Sequence, residues 1–359
     1  MTAAPFPLVR ERLRNQSLAV SRLRTPGEVV ASLGAAQAQD YAGAKWALGL
    51  RAKGLTDAAV EQAFDEGAIL RTHILRPTWH FIAPADIRWM LALSAPRVHA
   101  VNAYAYRTFE LDAAVLARSR AALERALAGG RQLTRLELAK VLQRAGVQAD
   151  GPRLAHVMMH AELDAVICSG ARRGKQFTYA LLEERAPRAK VLPRDEALAE
   201  LTRRYFASHG PATLRDYVWW SGLTAREARA GIAMSSLAET TIDDRSYWFV
   251  PGRARVPPAS PSAHLLPNYD EYLIAYKDRE PVVGTPTGSA ARRSDVFSHS
   301  LVVNGVLAGS WRRTASRDAV AVEVTPYTRL TASGTRALAA ATERLGRFMN
   351  LPVKVVIVR

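Results

Sequence analysis

The chain has 359 residues, of which 48% are hydrophobic and 23% charged, a globular composition that argues against long disordered segments. This length predicts about two to four domains. The 49 Lys and Arg residues exceed the 33 Asp and Glu residues and give a net charge of +16. Such an excess favours a polyanionic partner, because each phosphate that a protein neutralises releases condensed counterions. A general solubility bias would produce the same excess.

Several classes of protein are disfavoured by simple features of the sequence. The N-terminal stretch lacks the apolar core of a signal peptide, and no run approaches the roughly 18 apolar residues of a membrane-spanning helix. The single cysteine, Cys168, allows neither an intrachain disulfide nor a multi-cysteine zinc site. We therefore expect a cytoplasmic protein, located at the nucleoid, that does not bind membranes.

The first predicted unit, residues 1–95, combines helices with a β-hairpin. A helix is predicted around residues 7–23, and Thr25-Pro26-Gly27-Glu28 predicts the start of a second helix. Threonine caps a helix, proline fits its first turn and an acidic residue suits its dipole. Residues 69–82 contain two strand-like runs around Arg76-Pro77 and predict a hairpin. Helices followed by a hairpin are typical of a winged-helix unit.

The second predicted unit, residues 96–190, repeats this plan. Thr134 and Glu137 form a capping-box pattern, another helix is predicted over 152–163, and a hairpin is predicted over 165–182. The turn of that hairpin carries three basic residues, which we name the basic tip and predict to contact nucleic-acid phosphates: Arg172, Arg173 and Lys175.

A third unit, residues 191–256, is predicted from a helix that ends at His209 and a hairpin over 240–250. A stretch rich in Pro, Arg and Ser then predicts a linker into a C-terminal domain, residues 257–359, with alternating strands and an amphipathic helix. The sequence thus predicts an α+β protein made of three tandem winged-helix units followed by a small β-rich C-terminal domain.

Common cofactor and metal motifs are missing from the sequence. It contains no P-loop, no GxGxxG and no GxSxG pattern, so no cofactor is expected. His156 and His160 share a helix face, but they lack the HExxH pattern and a visible third ligand, so no metal site is predicted. A loop over 284–293 ends in Arg292 and Arg293, which we predict to bind DNA phosphates; a merely solvated loop is the alternative.

Three short motifs carry a family resemblance. The first is Gln37-Ala38-Gln39, the second runs from Arg71 to Phe81, and the third is His209-Gly210-Pro211-Ala212-Thr213 followed by Trp219 to Leu223. They resemble motifs of the AlkZ-type DNA glycosylases in the winged-helix superfamily, whose signature is Gln-apolar-Gln. In the second motif, Pro77 and Trp79 replace the family's usual Gly and Leu. C-terminal pieces extend the resemblance to nearly the full length, among them Tyr269-Asp270-Glu271-Tyr272-Leu273.

This resemblance implies a monofunctional DNA glycosylase, a hydrolase that acts as a monomer on double-stranded DNA with alkylated bases. Its substrates would be purines with cationic or bulky N7 or N3 adducts, including crosslinks, and it would need no metal or cofactor. Its catalytic residues would be Gln37 and Gln39. The alternative from another class is a non-catalytic winged-helix protein that binds DNA or regulates it, and a third is a protein that sequesters a genotoxic small molecule.

Two glutamines would suffice because alkylation at N7 or N3 already places a positive charge on the purine. The base then leaves as a neutral molecule, and the enzyme has only to position a water and stabilise an oxocarbenium-like sugar. A glutamine oxygen accepts a hydrogen bond from that water. Gln37 and Gln39 can share one target on an extended or helix-terminal segment but not within a regular helix. The alternative is that they only satisfy backbone groups or contact DNA.

Histidine and tryptophan side chains are further candidates for contacts with DNA. His73 and His80 are predicted on the two strands of the first hairpin. One of them could contact DNA or orient a site group; the alternative is that they form a partly buried polar pair. Trp46 and Trp79 could stack on a base or wedge into the duplex. The adjacent Trp219-Trp220 is predicted to belong to the core.

Overall fold

The computed structural model describes residues 8–252, 261–283 and 298–358, and the chain divides into two compact units. The first unit consists of three separate stretches, residues 1–61, 199–220 and 225–359. The second consists of residues 62–198 together with 221–224. The described residues mix helices with several small sheets, which confirms the predicted α+β class.

The start of the chain is mainly helical, with one very short strand: α1 (Leu8–Asn15), α2 (Pro26–Leu33), β1 (Ala36–Gln37), α3 (Tyr41–Gly49) and α4 (Asp57–Asp65). Helix α2 begins with the predicted cap, in which Thr25 and Glu28 each accept a hydrogen bond from the other's backbone N–H. The helix predicted over 7–23 is wrong in length. Helix α1 ends at Asn15 because Ser17 adopts a φ of 57° and the Leu18 N–H donates to the Leu13 carbonyl.

The second unit contains a helical layer and two hairpins: β2 (Leu70–His73), β3 (Trp79–Ile82), α5 (Ile87–Thr108), α6 (Ala113–Leu127), β4 (Leu133–Thr134), α7 (Arg135–Arg144), α8 (Gly151–Leu163), β5 (Ile167–Ser169), β6 (Thr178–Leu181) and α9 (Leu182–Arg185). Thr134 and Glu137 form the predicted capping box of α7. Strand β6 pairs antiparallel with both β4 and β5. Apolar faces of α6, α7 and α8 pack against this small sheet through Leu123, Leu138, Val157 and Ile167, all almost fully buried.

The next stretch of chain comprises three helices and a hairpin: α10 (Arg194–His209), α11 (Leu214–Ser221), α12 (Ala225–Met234), β7 (Ala238–Ile242) and β8 (Arg245–Phe249). All three predicted hairpins are therefore present, since β2 pairs with β3, β5 with β6 and β7 with β8, each antiparallel. Their positions agree with the ranges 69–82, 165–182 and 240–250 expected from the sequence.

The C-terminal stretch forms the largest sheet among the described residues. Its elements are β9 (Ala263–Leu266), α13 (Glu271–Ile274), α14 (Glu280–Val283), β10 (Ser300–Val303), β11 (Val306–Ala315), β12 (Val320–Pro326), α15 (Ala332–Met349) and β13 (Val353–Ile357). The five strands lie in the order β13-β12-β11-β10-β9, and only the β12–β13 pair is parallel. Helix α15 carries buried Leu345 and Phe348 on one face. In the part of the chain that is described, no helix combines the length and apolar character needed to cross a membrane.

Candidate active site

The Gln37-Ala38-Gln39 segment lies between two helices of the first unit. Strand β1 ends at Gln37, Gln39 lies in a bend, and Asp40 caps the N-terminus of α3 by accepting from the Gly43 N–H at 3.2 Å. In an extended segment, side chains two residues apart point to the same side. Ala38 is fully buried, while Gln37 is half-buried and Gln39 exposed. The segment therefore has the non-helical geometry that a shared target requires.

Gln37 presents a buried acceptor. Its side-chain oxygen, Oε1, is shielded from solvent and accepts no hydrogen bond from any described residue. A buried carbonyl without a donor is costly, by about 1–3 kcal/mol, so native structures keep such groups where a ligand or water completes them. The Gln37 oxygen therefore remains available to accept a hydrogen bond from a ligand or a water.

The backbone of Gln37 is fixed by a buried carboxylate of α13. Its N–H donates to Glu271 Oε1 at 2.8 Å, and Trp220 Nε1 donates to Glu271 Oε2 at 3.0 Å. His209 Nε2 lies 3.4 Å from the same Oε2. Glu271 is only 2% exposed. Through these contacts, Glu271 holds the backbone of the glutamine motif in place.

A buried ion pair fixes the same C-terminal motif next to Glu271. Arg51 donates to both carboxylate oxygens of Asp270, at 2.8 Å each, and to Gln16 Oε1 at 2.7 Å. Gln16 Nε2 in turn donates to the Tyr276 hydroxyl at 3.0 Å. Although burial lowers the pKa of Arg51, Asp270 more than offsets this and the net shift is upward. This bidentate pairing between Arg51 and Asp270 fixes the orientation of the Asp270-Glu271 segment.

Asp40 lies near one basic and one imidazole side chain. Burial lowers the pKa of Arg313, while Asp40 opposes that shift. Burial also lowers the pKa of His299, and the Arg313 charge lowers it further. Arg313 therefore adds positive charge near Asp40. The turn is tight, since a Cβ added to Gly43 would lie 2.7 Å from Asp40 Oδ2 and 3.0 Å from Asn268 Oδ1.

The structure brings the basic tip together in the β5–β6 turn. Arg173 and Lys175 are exposed and Arg172 is partly buried. Arg173 donates to Glu137 Oε1 at 2.8 Å. Backbone donation from Thr134 and this arginine lower the pKa of Glu137 to about 2. Arg172 instead lies over the Phe177 ring, 5.1 Å from its centroid.

His73 and His80 lie on β2 and β3 as predicted, but both are buried, at 6% and 0% exposure. His73 Nδ1 pairs with Glu162, and its ring lies 4.4 Å from that of Trp79. His80 Nδ1 lies 2.9 Å from the Thr78 carbonyl. Their burial favours a structural role over direct DNA contact, but the partners shown are Glu162 and the Thr78 carbonyl, not the other histidine. The other predicted phosphate contacts, Arg292 and Arg293, lie outside the described residues.

The tryptophans separate into core and surface groups. Trp46 is 1% exposed and donates to the Leu265 carbonyl at 2.7 Å, so it belongs to the core and cannot stack on a base. Trp220 is fully buried, as expected, while Trp219 is only partly so. Trp79 borders a pocket of about 310 Å³ in the second unit, whose lining includes Arg71, Arg135, Lys175 and Phe177.

Comparison with known proteins identifies the family of the chain. The family model described as "DNA glycosylase AlkZ-like" matches residues 30–348. The chain belongs to the AlkZ-like DNA glycosylase family. An interstrand DNA cross-link repair glycosylase of Streptomyces sahachiroi is 24% identical over 366 residues, covering 96% of this chain and 97% of that protein. The solved structure of Streptomyces sahachiroi DNA glycosylase AlkZ superposes with a TM-score of 0.79 at 21% identity and covers 99% of this chain and 100% of that one, which shows a shared fold.

Within this AlkZ-like chain, sequence reasoning identified the glutamine motif but missed its support. Glu271 and Arg51 received no role, although two adjacent acids in an otherwise apolar stretch, Tyr269 to Leu273, were a usable signal. Acidic residues are almost never fully buried unless they are paired. A buried acidic pair therefore implies buried donors elsewhere in the chain.

Proposed function

We propose that this AlkZ-like glycosylase hydrolyses the N-glycosidic bond of purines alkylated at N7 or N3, whether the adduct is cationic, bulky or part of a crosslink. Gln37 and Gln39 act as its catalytic residues. The observation that carries the proposal is the buried side-chain oxygen of Gln37, which accepts no hydrogen bond from the described residues. The printed function of the Streptomyces sahachiroi relative, interstrand cross-link repair, supports crosslinks as substrates.

In the proposed mechanism, Gln37 Oε1 accepts a hydrogen bond from the attacking water, so that a lone pair of the water oxygen faces C1′ of the sugar. The new C1′–O bond forms as the glycosidic C–N bond breaks, and the proton that the water loses passes to solvent. The alkylated base departs as a neutral molecule, so the leaving group needs little protonation. Gln39, which is more exposed, holds a sugar or phosphate oxygen. Asp40 lies one residue further on and contributes negative charge near the oxocarbenium-like sugar.

Hydrolysis without a covalent intermediate fits the surroundings of the motif. Lys45, on the helix that follows the glutamines, donates to Asp57 Oδ2 at 2.8 Å and to Glu61 Oε2 at 2.6 Å. An amine held in two ion pairs is a poor nucleophile for a Schiff base. This supports a monofunctional glycosylase over a glycosylase with lyase activity.

For DNA binding we propose three winged-helix units, residues 1–95, 96–190 and 191–256, before a C-terminal domain over 257–359. Each proposed unit contains one antiparallel hairpin, and the net charge of +16 suits a double-stranded DNA partner. The basic tip contacts phosphates, as do Arg292 and Arg293. The protein acts as a monomer in the cytoplasm, at the nucleoid.

The test is release of free base. The protein is incubated with duplex DNA containing one N7-methylguanine and, separately, with an N7-linked interstrand crosslink; undamaged duplex is the control. Free modified base should appear by mass spectrometry, the strand should stay uncut until alkali is added, and borohydride should trap no covalent complex. Tight DNA binding without base release would support the non-catalytic alternative and overturn the proposal.

A further inference from the structure

A cluster of metal-ligating side chains lies in the second unit. His160 is in the last turn of α8, Asp164 follows as its C-cap residue, and His99 projects from α5. His160 and Asp164 are four residues apart, so they share one helix face. The sequence predicted no metal site because His156 and His160 lacked a third ligand. The structure supplies His99, which is 65 residues from Asp164 in the chain.

The distances from each histidine to the Asp164 carboxylate match those between neighbouring ligands of a tetrahedral site. His99 Nε2 lies 3.2 Å from Asp164 Oδ1, and His160 Nδ1 lies 3.4 Å from Asp164 Oδ2. One ligand atom from each of the three residues lies within 4.8 Å of the others. Zinc bonds of about 2.0–2.1 Å in tetrahedral geometry place neighbouring ligand atoms about 3.3 Å apart. These distances are compatible with one ion bound by all three side chains.

Tyr106 orients the first of these ligands. Its hydroxyl lies 2.9 Å from His99 Nδ1, so the other ring nitrogen, Nε2, faces Asp164. A histidine that ligates a metal normally uses its second nitrogen in such an outer hydrogen bond, which fixes the ring. The Tyr106 ring also packs edge-on against His160, with centroids 5.4 Å apart.

Access and charge suit a small cation. The side chains of His99, His160 and Asp164 are 25%, 19% and 36% exposed, so an ion can enter and keep a water as its fourth ligand. The charge of Arg120 contributes to lowering the pKa of Asp164, but its guanidinium donates to Glu124 at 2.8 Å and not to Asp164. One carboxylate and two neutral imidazoles match the ligand preference of a borderline-soft divalent ion.

We propose that His99, His160 and Asp164 form a binding site for one Zn²⁺ ion that links α5 to the end of α8. All three ligands belong to the second unit, whereas the glutamine motif belongs to the first. The competing explanation is that the cluster holds a proton rather than a metal.

The test uses untagged full-length protein and Zn²⁺ itself. Isothermal titration should show one equivalent bound by the wild type, and Co²⁺ substitution should give the intense visible absorption of a tetrahedral site. His160→Ala and Asp164→Asn should each lose that equivalent and that absorption. The matched control is His156→Ala, one turn earlier on α8, whose ring stacks on Phe109 at 5.1 Å and which should bind as the wild type does.

A second readout guards against variants that fail to fold. Zn²⁺ should raise the Tm of the wild type and of His156→Ala, and it should leave the Tm of Asp164→Asn, a near-isosteric change, where it was. Circular dichroism confirms that each variant is folded. Equal Zn²⁺ stoichiometry and affinity in the wild type and Asp164→Asn would overturn the proposal, as would the absence of any binding by the wild type.

Discussion

Glu271→Gln tests whether the carboxylate beneath the glutamine motif positions it for catalysis. The two oxygens of Glu271 accept from two different buried donors, the Gln37 N–H at 2.8 Å and Trp220 Nε1 at 3.0 Å. An amide of the same shape offers only one oxygen, and its NH₂ group must face the other donor. One buried N–H therefore loses its acceptor.

The structure sets the size of the expected effect. Leaving one buried donor unsatisfied costs about 1–3 kcal/mol, so the free energy of unfolding should fall by that amount. If the backbone of Gln37 moves toward a new partner, its side-chain oxygen is displaced from the position that the proposed mechanism requires. A displacement of about 1 Å at a reacting centre costs up to about 10²-fold in rate, so we expect excision to fall between about 10-fold and 10²-fold.

The assay is single-turnover release of N7-methylguanine at saturating protein, with DNA affinity from fluorescence anisotropy and stability from urea unfolding. Affinity should stay unchanged because phosphate contacts elsewhere carry it. Trp220→Phe is the control, since it removes the other donor and leaves the Gln37 bond intact; it should lose stability and keep its single-turnover rate.

Combining the two changes provides a sharper check. With the Trp220 donor gone, the introduced amide can turn its oxygen to the Gln37 N–H and its NH₂ toward His209 Nε2, 3.4 Å from the original oxygen. The double variant should therefore recover excision relative to Glu271→Gln alone. If Glu271→Gln loses stability but excises base at the wild-type rate, the carboxylate has only a structural role and the reasoning is refuted.

Three further predictions follow from the same structure. Gln37→Ala and Gln39→Ala should each cut single-turnover excision by about 10²-fold or more with little change in DNA affinity, whereas lost affinity with intact excision would make the pair a binding element. Neutralising the basic tip with three alanines should weaken binding equally for all DNA sequences and flatten its salt dependence, which anisotropy at several salt concentrations measures; a loss limited to one sequence would contradict phosphate contact. Asp270→Asn removes the negative partner of the buried Arg51 charge and should reduce the free energy of unfolding, measured by urea titration, by about 3–5 kcal/mol. An unchanged urea midpoint would show that the Arg51–Asp270 ion pair makes no net contribution to stability.

Local features of the fold were predictable because their signals are short-range. Thr25 and Thr134 each cap a helix through a residue three positions later, and hairpin turns depend on neighbouring residues. The first helix was overextended because its apolar spacing continues past Asn15. The helix in fact ends there, since Ser17 adopts a left-handed φ of 57° that apolar spacing does not reveal.

The sequence predicted the glutamine motif of the candidate site but not the residues that hold it in place. Resemblance to a family motif identified Gln37 and Gln39, but the hydrogen bond that fixes Gln37 comes from a residue 234 positions away. The third ligand of the proposed zinc site, His99, likewise lies 65 residues from Asp164. No spacing rule connects such pairs, because the fold alone determines which helices meet.

The discontinuous first unit has a consequence for synthesis on the ribosome. Arg51 emerges 219 residues before Asp270, its buried partner. At about 5–20 residues per second, roughly 10 to 40 s pass before the two can meet. The second unit is almost continuous in sequence and can fold during that interval, while the N-terminal segment stays unassembled. Nascent chains released before residue 271 lack the carboxylate that anchors Gln37, so truncated translation products would carry the hairpins of the protein without a formed centre for base excision.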